Sequence, residues 1–114
     1  MSINANDVAS EIRDGYVLVR LRGEVDLSWS QVVRRAVLDA LDHGAAVGID
    51  LSEVSYIDSS GIAALVEGFQ RARTRGSRFA LVAVSDSVRA VLELARLDRV
   101  FVLVATPDAV IAVA

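Results

Sequence analysis

At 114 residues with no cysteine, one histidine and a net charge of −3, the chain cannot form disulfides, thiolate sites or a multi-histidine metal site. All twelve positive residues are arginine, which rules out lysine-dependent chemistry, and the acidic balance argues against a direct nucleic-acid partner. With 54% hydrophobic residues and a mean hydropathy of +0.45, the composition suits one well-filled α/β domain over residues 1–114, with no cofactor and no metal expected. No apolar run reaches the roughly eighteen residues that a membrane span needs, and Met1 to Asp7 has neither a basic nor an apolar stretch, so a cytoplasmic protein without membrane insertion is expected.

The elements follow from periodicity and punctuation. Ala9 to Arg13 and Val17 to Arg22 read as strands joined by the Asp14-Gly15 turn, an opening hairpin. Trp29, Val32, Val33, Ala36, Val37, Ala40 and Leu41 recur at offsets of three and four, which predicts a helix with Ser28 as its cap and Gly44 beyond its end. Ala46 to Leu51 is short and apolar, a strand buried on both faces. After Asp58-Ser59-Ser60-Gly61, the residues Ile62, Leu65, Val66, Phe69 and Ala72 mark a second helix that Gly76 ends. Arg78 to Val84 predicts a strand, and Ser85-Asp86-Ser87 caps a helix bearing Val88, Val91, Leu92 and Ala95. Val100 to Val104 predicts a last strand, and Thr106-Pro107-Asp108 opens a short C-terminal helix. The order ββαβαβαβα implies a mixed, mostly parallel sheet of four to five strands with an initial antiparallel hairpin and four helices.

In such a sheet functional loops gather at the C-terminal strand ends. Three segments meet this condition: Gly23 to Ser28, Tyr56 to Gly61 and Val84 to Ser87. They bring Glu24, Asp26, Asp58 and Asp86 together with several hydroxyls, a mixture that favours a regulated surface over a catalytic pocket. For Ser85, Asp86 and Ser87 helix capping is the favoured reading. Asp58-Ser59-Ser60-Gly61 holds more than a cap requires, with two adjacent hydroxyls and a glycine expected to leave the approach open. A helix N-terminus with free N–H groups is a natural seat for phosphate, so these residues fit either a cap or a phosphorylation switch.

Gly23-Glu24-Val25-Asp26, Val54 to Ile62 with its Asp-Ser-Ser-Gly, and the helix from Val88 to Leu97 together resemble the STAS domain of bacterial anti-sigma factor antagonists, over nearly the whole chain. The resemblance implies a STAS-like fold and a protein that binds an anti-sigma factor with serine kinase activity, is released when phosphorylated, and is reset by a serine phosphatase. It implies Ser59 as the acceptor with Ser60 as its neighbour, and a partner surface of Glu24, Asp26, Ser28, Asp58, Ser59, Ser60, Gly61 and Ile62. Asp26 and Asp58 would add to the negative potential of a phosphate carrying roughly −1.5 to −2 charges. The same resemblance leaves a second role open, a STAS adaptor subunit of a lipid-transporting ABC system or a component of a stress-sensing scaffold; the paired serines favour the antagonist.

Other residues carry less. Trp29 reads as core packing rather than a partner anchor. Arg71, Arg73, Arg75 and Arg78 read as solvated cations at a helix end, and His43 as structural. Arg96 stands where the family often has glycine before leucine, so a strained or altered turn is expected there. The chain has no set of residues for a Ser-His-Asp triad, no lysine-bearing phosphate loop and no receiver-type lysine, so an enzyme is not expected.

Overall fold

The computed structural model describes residues 6–113; Met1 to Ala5, read above for a targeting signal, lie outside the described residues. Five strands stand in the order β1-β2-β3-β4-β5: β1 (Asp7–Arg13), β2 (Tyr16–Val25), β3 (Ala46–Ile57), β4 (Arg78–Val82) and β5 (Leu103–Val104). β1 pairs antiparallel with β2, and every later pair is parallel, as the alternation of elements required. Three α-helices connect the parallel strands, α1 (Leu27–His43), α2 (Ser59–Arg75) and α3 (Asp86–Leu94), and the 3-10 helix Pro107–Ala112 closes the chain.

Strand order rises without reversal, so crossovers of one hand all fall on one face of the sheet. On that face Val17, Val19 and Leu21 of β2, with Val47, Ile49 and Leu51 of β3, pack against Val33, Val37, Leu65, Val88 and Leu92 from the three helices. Tyr16, Leu18, Ala46, Ala80 and Val82 point the other way, where Val110 and Val113 cover them. β3 from Ala46 to Leu51 is thus buried on both faces, as its continuous apolar run implied. Gly48 makes the second layer possible: a Cβ there would stand 2.7 Å from Val110 Cγ2 and 3.1 Å from Val82 Cγ2.

Several boundaries differ from those expected. β2 continues to Val25, so Gly23 and Glu24 belong to the strand and only Asp26 connects it to α1. β3 runs six residues past Leu51, because its pairing with β2 is bulged twice: Arg20 faces Asp50 while Arg22 faces Glu53, and Gly23 faces Val54 while Glu24 faces Tyr56. Each bulge adds one residue to β3, so Leu51, Val54 and Ile57 all reach the core at a spacing of three. Alternation cannot predict such a strand.

The C-terminal region is also more broken than expected. α3 ends where Arg96 adopts a left-handed conformation with φ of 60°, which agrees with the altered turn anticipated there. A 3-10 turn, Leu97–Arg99, follows, and Val100 to Val102 of the expected strand form a turn and irregular backbone, leaving β5 with two residues. The closing helix is 3-10 rather than α, with Thr106 at its start making no side-chain cap bond. It is pinned instead by Tyr16 donating to Asp108 Oδ1 at 3.0 Å and Arg78 Nε donating to the Val113 carbonyl at 2.8 Å. Gly76 ends α2 in the left-handed conformation, as its position implied.

Two predictions follow from this packing. Gly48→Ala, which forces a methyl group against Val110 and Val82, should lower unfolding free energy by about 1–3 kcal/mol in urea titration. Arg96→Gly relieves a left-handed non-glycine residue and should raise stability by about 0.5–1 kcal/mol in the same measurement.

Candidate functional site

The ends of β2 and β3 lie side by side, with the Asp58 N–H donating to the Val25 carbonyl at 3.2 Å. Helices α1 and α2 therefore start next to each other, and they start in the same way. Asp26 is extended (φ −113°, ψ −174°), and its Oδ1 accepts from the Ser28 N–H at 3.1 Å and the Ser28 hydroxyl at 2.6 Å. Asp58 is extended likewise (φ −105°, ψ −173°), and its Oδ1 accepts from the Ser60 N–H at 2.9 Å, the Ser60 hydroxyl at 2.6 Å and the Gly61 N–H at 3.1 Å. Each helix thus begins with an Asp-x-Ser cap, in which the carboxylate satisfies amides that the first turn leaves unpaired.

This geometry corrects three expectations. Asp26 caps α1; Ser28 is already helical and serves the cap through its hydroxyl. The amides of Ser60 and Gly61, expected to be free for phosphate, are taken by Asp58. Gly61 does not open the approach to the edge. It is buried, and a Cβ there would meet the Val25 carbonyl and Ile57 Cγ1, both at 2.7 Å, so glycine lets the first turn of α2 sit directly on the ends of β2 and β3.

The two serines of the motif are not equivalent. Ser60 is half-buried and its hydroxyl is committed to Asp58. Ser59, the exposed first residue of α2, makes no side-chain hydrogen bond within the described residues. The Asp58 carboxyl is held below its ordinary range, first by the Ser60 hydroxyl and then by the Gly61, Ser60 and Leu27 amides, against a smaller opposing cost of desolvation.

Around these caps, Glu24 is exposed on β2, with its N–H donating to Asn6 Oδ1 at 2.8 Å, and Ile62 is half-buried against the core. The third predicted segment joins the same edge, since the Ser85 hydroxyl donates to the Val54 carbonyl at 2.7 Å and accepts from the Val88 N–H at 3.3 Å. Ser85 is therefore the cap it was read to be, and it also ties α3 to the bulged part of β3. Trp29 packs half-buried against the core. His43 lies in the last turn of α1 with Nδ1 2.8 Å from the Asp39 carbonyl oxygen.

Two apolar residues at the edge escaped the sequence reading. Leu27, which stands in α1 where Ser59 stands in α2, is 74% exposed, and Tyr56 is 50% exposed. The only available signal for Leu27 was an apolar residue at a helix start, outside the stripe that packs on the sheet. From Leu27 and Ser60 a groove of about 210 Å³ runs between α1 and α2 past Gln31 and Ala63. Arg34 crosses it with a two-pronged pair to Glu67, at 2.7 and 2.8 Å, and holds the Glu67 carboxyl below its ordinary range.

The STAS domain model matches residues 7–110. The chain is 31% identical over 86 residues to the anti-sigma-B factor antagonist of Bacillus subtilis, covering 75% of this chain and 76% of that protein. It is 29% identical over 96 residues to the anti-sigma-B factor antagonist of Listeria monocytogenes, covering 81% and 84%. Among solved structures it is similar to an anti-sigma factor antagonist from Mycobacterium paratuberculosis, with a TM-score of 0.83, 26% identity, and 97% and 95% of the two chains covered. A model match over nearly the full length, with relatives alike over most of both chains, places this protein in the STAS domain family.

Proposed function

We propose that the protein is an anti-sigma factor antagonist, a regulatory binding domain formed by residues 1–114 that acts in the cytoplasm and is switched by phosphorylation of Ser59. One observation carries the choice of residue: of the two adjacent serines, only Ser59 is exposed with its hydroxyl unengaged, while Ser60 is bonded to Asp58. The similarity to the antagonists of Bacillus subtilis and Listeria monocytogenes supports the class of partner, an anti-sigma factor with serine kinase activity.

In the transfer step the Ser59 oxygen attacks the γ-phosphorus of ATP held by the partner, loses its proton to a base there, and ADP leaves. A serine phosphatase restores the hydroxyl by hydrolysis. The nearest helix amides already serve Asp58, so a phosphate on Ser59 finds a carboxylate beside it rather than a vacant cradle. Its charge is directed outward, toward whatever surface covers the edge. Glu24, Ser28 and Ser59 are the exposed polar contacts of that surface, Leu27 and Tyr56 its apolar ones, and Asp26 and Asp58 keep it negative. Burying a doubly charged group against such a contact would dissociate the pair with little change in the backbone.

Incubation with the cognate kinase and ATP should add one phosphoryl group, which mass spectrometry locates on Ser59. Ser59→Ala should abolish the label and Ser60→Ala should leave it in place; label on Ser60 alone, or none with any cognate kinase, refutes the assignment. Phosphorylated protein should bind the kinase at least about a hundredfold more weakly than unmodified protein by calorimetry.

Acid should act on the same cap. A carboxyl whose value is lowered on folding contributes stability above its ordinary value, near about 4, and loses it as pH falls through the lowered one. The urea midpoint should therefore drop below about pH 4. Asp58→Asn should flatten part of that drop, leaving the share of Glu11 and Glu67, which arginine partners also hold low.

A further inference from the structure

We infer that β1 is a self-association edge: it pairs antiparallel with β1 of a second copy of this chain, about a two-fold axis through Ser10. β1 is the first strand of the sheet and, among the described residues, is hydrogen-bonded on one side only, by β2. Its seven residues span about 24 Å and direct every second N–H and C=O away from the sheet. Its charged side chains, Asp7, Glu11 and Arg13, all lie on the face away from the helices, and the other devices that blunt an edge are missing from it. It contains no proline and no lysine, and its register with β2 runs from Asp7↔Arg22 to Arg13↔Tyr16 without a bulge.

The side-chain pattern selects both partner and register. Val8, Ser10 and Ile12 face the helix side, opposite Leu21, Val19 and Val17, while Asp7, Ala9, Glu11 and Arg13 face the other side. With the axis at Ser10, Asp7 of each copy lies opposite Arg13 of the other, Val8 opposite Ile12, and Ala9 opposite Glu11. Opposite charges and apolar side chains are matched twice each, on the correct faces. Moving the axis to Ala9 sets Asp7 against Glu11, and moving it to Glu11 sets the two copies of Glu11 against each other. A parallel in-register pairing would align every charge with its like.

Ile12 adds a second observation. It is 75% exposed, beside a hollow of about 290 Å³ bounded by Val17 and by Ala40 and His43 of α1, so the described residues leave most of it uncovered. Val8 of the second copy would lie across from it. Asp7 makes no ion pair within the described residues, and Arg13, which donates to Glu11 at 2.8 Å and to the Tyr16 hydroxyl at 3.2 Å, has further N–H groups to offer. The contact is narrow, which implies a reversible dimer. Because the axis reverses strand direction, the two Ser59 edges lie at opposite ends of a ten-stranded sheet, and both remain open.

Sedimentation velocity should reveal a monomer–dimer equilibrium as the protein is raised toward about 1 mM. Asp7→Arg and Arg13→Asp, each checked for intact fold by circular dichroism, should each weaken dimerisation about tenfold. An equimolar mixture of the two variants should restore it, because every pair is again of opposite sign. In this cysteine-free chain, Ser10→Cys should form a disulfide-linked dimer under mild oxidation much faster than the exposed control Ser87→Cys. A strict monomer throughout, a mixture no better than the single variants, or equal cross-linking at the two positions overturns the inference.

Discussion

β3 carries two more residues than β2 over the length they share, and that surplus decides where α2 begins. A regular strand would put Val54 and Ile57 on opposite faces; two bulges turn both toward the helices beside Leu51. The strand then ends with Asp58 bonded to the Val25 carbonyl, which sets the starts of α1 and α2 next to each other. Gly61 completes the arrangement, since any larger residue would push the first turn of α2 away from Val25. The exposure of Ser59 is thus a consequence of core packing one turn away.

The winding of the sheet explains why this edge is a surface rather than a crevice. Strand order rises steadily from β1 to β5, so no reversal splits the connections and opens a cleft between them. What stands at the strand ends is a row of capped helix starts: Asp26, Asp58 and Ser85. Their side chains spend their hydrogen bonds on helix amides, which favours docking and charge sensing over catalysis. The cost of placing all three α-helices on one face is a thin second layer, where one 3-10 helix covers Leu18, Ala80 and Val82.

The two ends of the sheet are also unlike. β5 has two residues and follows a broken turn at Arg96, whereas β1 is long, regular and, among the described residues, unpaired on its outer side. The chain therefore has one edge suited to strand pairing, well separated in the fold from the row of helix starts, and events at either can proceed without blocking the other.

Much of this was legible in the residues. The three-and-four spacing from Trp29 to Leu41 and from Ile62 to Ala72, the stop at Gly76 and the cap at Ser85 depend on interactions within a few residues, and local chemistry decides them. The apolar run from Ala46 marked a doubly buried strand for the same reason. The far half of β3 was hidden, because bulges arise from pairing with a strand about thirty residues away and erase the alternation that identifies a strand. The choice of Asp26 over Ser28 as cap depends on how far β2 extends, and the burial of Gly61 on a carbonyl of β2. Sequence placed two serines at a helix start. Which hydroxyl stands free followed only from the long-range contact that orients Asp58, because its backbone N–H is fixed on the Val25 carbonyl while its carboxylate takes the Ser60 hydroxyl and leaves Ser59 to solvent.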